Sequence, residues 1–141
     1  MSEVNEKTAK LADFGLARYS LSQLTNQIEI SQTFCGTVAY ISPKQLLNIG
    51  YNPFAADCWA MGVTLFYMIN NILPFGSSPG IKQIKQLKTG GSEYVSKLYN
   101  KTVINRISRD LRELIDHLLV YDEDKRWTIT DVLKSKWLGN N

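Results

Sequence analysis

Histidine is nearly absent from this chain, with His117 alone among 141 residues, and cysteine is limited to Cys35 and Cys58. That shortage leaves no spaced thiolate and imidazole set for zinc and no disulfide framework, so a reducing, cytoplasmic setting is the expectation. Charge of one sign is lacking too: 16 basic against 13 acidic side chains give +3, too little to argue for a nucleic-acid or membrane-surface partner. The longest apolar run, Cys58 to Ile69, contains Gly62 and Thr64 and is shorter than the roughly 18 residues that a membrane span requires. The N-terminus shows no basic start followed by an apolar stretch and a small-residue cleavage site, so no secretory leader is expected.

What remains is the composition of one globular domain, 44% hydrophobic, with no internal repeat and no linker-like break. Thr8 to Leu11 alternates weakly and suggests a short strand, and the polar, aperiodic stretch from Leu16 to Gln32 reads as a loop. Ser42-Pro43 predicts an extended residue followed by a helix start. Asp57 precedes a run that is apolar on every side up to Ile69, which predicts a helix inside the core, ended by Asn70-Asn71. Leu73 to Gly80 carries two prolines and two glycines and predicts a loop. Ile81, Ile84 and Leu87 then share one helical face, and Gly90-Gly91 should break that segment. Leu111, Leu114, Ile115, Leu118 and Leu119 follow helical spacing behind Ser108, a suitable cap. Thr128 with Asp131 forms a capping-box pattern that opens a helix with Ile129, Val132, Leu133 and Trp137 on one side. Eight basic residues between Lys82 and Arg112 face only Glu93 and Asp110, a surplus best explained as a solvated face. The expected architecture is mainly α, with one short strand pair at most.

Four motifs occur in order: Asp13-Phe14-Gly15, Gly36 through Pro43, Asp57 through Gly62, and Asp122 through Arg126. Together they resemble the C-terminal lobe of a eukaryotic protein kinase domain from the activation segment onward. The resemblance runs from about Thr8 to Leu138 and makes residues 1–141 a partial kinase domain. Thr33-Phe34-Cys35-Gly36-Thr37, Tyr51-Asn52-Pro53-Phe54, Leu73-Pro74-Phe75 and Lys136-Trp137-Leu138 look most similar to testis-specific serine/threonine kinases of the calmodulin-dependent kinase group.

The resemblance implies roles residue by residue. Asp13 would ligate the Mg²⁺ that bridges ATP phosphates, since a hard cation prefers carboxylate oxygen, and in the same cofactor-binding motif Phe14 would pack inward and Gly15 would permit the backbone swing. Thr33 would be the activating phosphorylation site, met by Arg18 as cation. Thr37 would support catalysis, and Tyr40, Ile41, Ser42 and Pro43 would shape the platform for the substrate. Asp57 would be the carboxylate that holds the catalytic-loop backbone, or simply a helix N-cap. Trp59 and Gly62 would pack the core, and His117 would be a partly buried structural residue.

The chain departs from the family where Ala-Pro-Glu becomes Ser42-Pro43-Lys44, which removes the usual carboxylate partner of the arginine matched by Arg126. Glu123 and Asp124 are the carboxylates at hand to compensate. The Gly-rich loop, the ATP-anchoring lysine and the His-Arg-Asp loop have no counterpart here, so this chain alone is expected to bind no ATP and to phosphorylate nothing. Two readings follow. The chain is either part of an ATP- and Mg²⁺-dependent serine/threonine kinase acting on protein substrates, or a non-catalytic module that docks substrates or partners.

Overall fold

The computed structural model describes residues 8–99 and 106–139. Six helices are present among them: α1 (Pro43–Leu46), α2 (Pro53–Asn70), α3 (Ile81–Leu98), α4 (Arg109–Leu118), α5 (Ile129–Leu133) and α6 (Lys136–Gly139), with a 3-10 turn at Val38–Tyr40. The described residues contain no strand. Thr8 to Leu11 has no regular secondary structure, which corrects the expected strand, and β-pairing among the described residues is confined to isolated bridges Leu21 to Ile28 and Ser31 to Tyr51.

Helix α2 organises the chain. It begins earlier than Asp57 because Asn52 caps it, accepting from Phe54 N at 3.0 Å and Ala55 N at 3.4 Å, while Pro53 supplies a helical φ without losing a needed donor. Asp57 is therefore not the cap; it lies a turn inside. Asn71 ends the helix in a left-handed conformation, φ 54°. Trp59, Val63 and Phe66 pack with Phe75, Leu87, Val95, Tyr99, Ile115 and Leu119 in the main core. The all-round apolar pattern is only partly buried, however, since Tyr67 and Met68 are exposed.

Helix α4 crosses α2 at Gly62, where an added Cβ would stand 2.8 Å from Leu118 Cβ and 3.0 Å from Leu119 Cδ2. A close backbone approach thus requires glycine there. Ser108 caps α4 as expected, accepting from Leu111 N at 3.1 Å. The expected break in the segment falls at Gly91, whose non-helical φ of 50° and ψ of −134° suit glycine alone, so α3 is two helical stretches that meet at a kink. The Thr128 capping box forms: Asp131 Oδ2 accepts from Thr128 N at 2.9 Å. The helix it opens is short, ending at Leu133, and Ile129 and Leu133 are exposed while only Val132 is buried. The expected single apolar face from Ile129 to Trp137 is therefore split between two short helices.

Candidate functional site

The sequence-predicted site residues gather along the segment from Asp13 to Pro43 and the first turns of α2. A cleft of about 360 Å³ is lined by Arg18, Cys35, Thr37, Tyr40, Ile41 and Asp57, among others, so it joins the candidate phosphosite cation, the supporting threonine and the α2 carboxylate. Of its lining, Ile41 is buried and Tyr40 half-buried, and the adjoining Ala39, Ser42 and Pro43 are buried. Ser42 N donates to Gln45 Oε1 at 3.0 Å, which fixes the entry to α1.

Thr33 is exposed, and its hydroxyl accepts from Arg18 Nη1 at 3.2 Å. Its backbone is held as well. Thr33 N donates to Ser31 Oγ at 3.1 Å, and Tyr51 OH donates to Thr33 O at 2.9 Å. Ser31 and Tyr51 exchange both backbone hydrogen bonds, at 2.9 and 3.0 Å.

Asp13 is exposed at φ 62°, where its own Oδ1 accepts from Gly15 N at 3.4 Å. Phe14 is 67% exposed, which corrects the expectation that it packs inward: no apolar surface among the described residues covers it. Among the described residues no three His, Cys, Asp or Glu side chains converge on a point, so Asp13 offers a single open carboxylate and the residues present do not fit an Mg²⁺–ATP site by themselves. Asp57 is exposed rather than buried, which departs from the implied role; partial desolvation raises its carboxyl from the ordinary value, and its carboxylate has no hydrogen-bond partner among the described residues. On its other side lies a largely apolar groove of about 860 Å³ bordered by Phe54, Met61, Leu65, Trp127 and Ile129.

Arg126 is 5% exposed and finds no carboxylate in hydrogen-bond contact. It donates instead to Val120 O through Nε at 3.1 Å and Nη2 at 2.7 Å, to Tyr121 O at 3.4 Å, and to Ala55 O through Nη1 at 2.7 Å. Burial lowers its pKa to about 10, opposed by nearby Glu123, so it stays charged at neutral pH. Its guanidinium lies 5.1 Å from the Trp59 ring centroid. Lys44 Nζ pairs with Glu123 Oε1 at 2.6 Å, so Lys44 does not turn to solvent. Glu123 also accepts from Asn52 N, at 3.2 and 3.3 Å. His117 is a structural residue in geometry: its ring stacks on Trp127 at 4.2 Å between centroids, and Nδ1 lies 2.8 Å from Glu113 O.

Sequence reasoning missed Asn52 and Tyr51. The Asn-Pro pair at 52–53 was the available signal for the cap, since Asn at the N-cap and Pro at the first helical position are each favoured. Lys101, part of the basic surplus, lies outside the described residues.

The protein kinase domain profile matches residues 1–138. The chain belongs to the protein kinase domain family. It is 30% identical to the probable serine/threonine-protein kinase MARK-A of Dictyostelium discoideum, over 93% of this chain and 11% of that protein. It is also 30% identical to the ovarian-specific serine/threonine-protein kinase Lok of Drosophila melanogaster, over 94% of this chain and 26% of that protein. Against testis-specific serine/threonine-protein kinase 4 of Homo sapiens the identity is 32%, over 94% of this chain and 41% of the relative. This kinase-family chain thus spans well under half the length of these curated relatives. No helix among its described residues is long and apolar enough to cross a membrane.

Proposed function

We propose that residues 1–141 form the C-terminal lobe of a serine/threonine protein kinase domain of the calmodulin-dependent group, and that the complete protein transfers a phosphoryl group to protein serine or threonine. ATP with Mg²⁺ supplies that group and its charge neutralisation in the complete protein. The residues of this chain do the work on the substrate side. Tyr40 to Pro43 form a rigid platform for an extended substrate, Thr37 borders the cleft, and Thr33 with Arg18 forms the element that a phosphate orders.

The observation that carries this reading is the Arg18 to Thr33 hydrogen bond within the same segment as the buried platform. A cation already aimed at the hydroxyl is what a phosphothreonine needs in order to organise its loop.

A chimera tests the catalytic reading: residues 8–141 joined behind the N-terminal lobe and His-Arg-Asp loop of a testis-specific kinase. Phosphorylation of serine or threonine in a peptide mixture, abolished by Asp13→Asn, is the expected outcome. A folded chimera that transfers nothing would reject that reading. It would favour the second one, a non-catalytic module that docks protein partners, which draws support from Lys44 and from the apolar groove beside α2.

A further inference from the structure

We infer that Lys44 is a positioning residue: through Glu123 it couples the platform to the segment that carries Thr33. This rests on the reading of Tyr40–Pro43 as a substrate platform. Lys44 is the second residue of α1, directly after Pro43. Its ammonium meets a carboxylate whose side chain is 6% exposed. That carboxylate is shared, because its two oxygens also accept from Asn52 N. Asn52 caps α2, and its neighbour Tyr51 is bridged to Ser31 in both directions and donates its hydroxyl to Thr33 O. Glu123 therefore ties two stretches that are separate in sequence, 42–46 and 31–33, to one buried oxygen pair.

The arrangement works because a buried carboxylate tolerates its burial only while a cation and hydrogen-bond donors face it. If the cation is removed, Glu123 gains stability by turning toward water, and Asn52 N loses its acceptor in the same movement. A loosened Asn52 frees Tyr51, and with it the bridge to Ser31 and the hold on Thr33 O. Arg126 cannot substitute, since its guanidinium donors are engaged by carbonyls of Ala55, Val120 and Tyr121.

Hydrogen exchange of the whole chain, read amide by amide, tests this without ATP or substrate, so its result is independent of the chimera's. Lys44→Met should raise exchange at Ser31 N and Tyr51 N by at least about tenfold while the amides of Val63 and Leu118 are unchanged. Lys44→Arg should keep all of them protected. In the double variant K44E/E123K the ion pair returns but the acceptor for Asn52 N does not. Leu46 N and Leu47 N should then be as protected as in the parent chain, while Asn52 N exchanges fast. Unchanged exchange at Ser31 and Tyr51 in Lys44→Met would overturn the coupling. A uniform rise that includes Val63 and Leu118, or failure of Lys44→Arg to protect, would overturn it equally.

Discussion

Lys44 Nζ stands 2.6 Å from Glu123 Oε1, so the platform helix carries the cation and the loop before α5 carries the anion. The kinase resemblance implies the opposite order, a carboxylate at position 44 facing the arginine at 126. In this chain position 44 carries a cation and its carboxylate partner is Glu123, while position 126 keeps its arginine. Arg126 is then met by carbonyls of α2 and of the 120–121 turn rather than by a hydrogen-bonded carboxylate, with Glu123 near enough to favour its charge. The departure at position 44 is thus accommodated in the folded chain rather than left as a stranded charge.

Lys44→Glu, which restores the family's residue, is expected to destabilise this chain. It would set a second carboxylate against Glu123, and Lys44 is a third exposed, so the loss should be about 2 kcal/mol, below the value for a fully buried pair. Urea denaturation measures it. A variant as stable as the parent would mean that Arg126 turns to meet the new carboxylate.

Gly62→Ala probes the helix crossing. Alanine is the better helix former by about 1 kcal/mol, but its Cβ would meet Leu118 Cβ at 2.8 Å, and overpacking of that kind costs about 1–3 kcal/mol. The steric term should win, with a net loss of about 1 kcal/mol and a lower Tm in calorimetry. Gly139→Ala, with open space around it, serves as the control.

Helices whose stability comes from periodic burial were legible in sequence: α4 from its leucine spacing, α2 from its apolar run, and α5 from its capping box. What escaped was set by contacts distant in sequence. Nothing local to Lys44 announces Glu123, 79 positions away. The exposure of Phe14 and Asp57 depends on what packs beside them in three dimensions, which a family motif cannot convey. The break at Gly91 was legible from the glycine pair, but not that Val95 and Tyr99 beyond it would reach the same core as Leu87.

Phosphothreonine at position 33 should be gripped by Arg18. The hydroxyl already lies 3.2 Å from Nη1, and a phosphate adds nearly two negative charges there. Trypsin cleaves after Arg18, so semisynthetic chain phosphorylated at Thr33 should be cut at that bond about three- to tenfold more slowly than the unmodified chain. Equal rates would remove Arg18 from the role of phosphate partner.

Asp116 sets a pH dependence. Burial pushes its carboxyl up from 3.8 to about 6, opposed by the Arg112 guanidinium 3.9 Å away and by neighbouring His117. The folded chain therefore holds a proton on this group, between about pH 4 and pH 6, that the unfolded chain has released. Stability from this group is present at pH 4 and falls as pH rises through 6, the reverse of an ordinary paired carboxylate. Asp116→Asn removes the ionisation and keeps the shape. It should raise stability at pH 7 by about 2 kcal/mol and flatten the slope between pH 4 and 6, as followed by urea midpoints across that range. If Asp116→Asn instead lowers stability at pH 7, the attraction of Arg112 outweighs the cost of burying the charge.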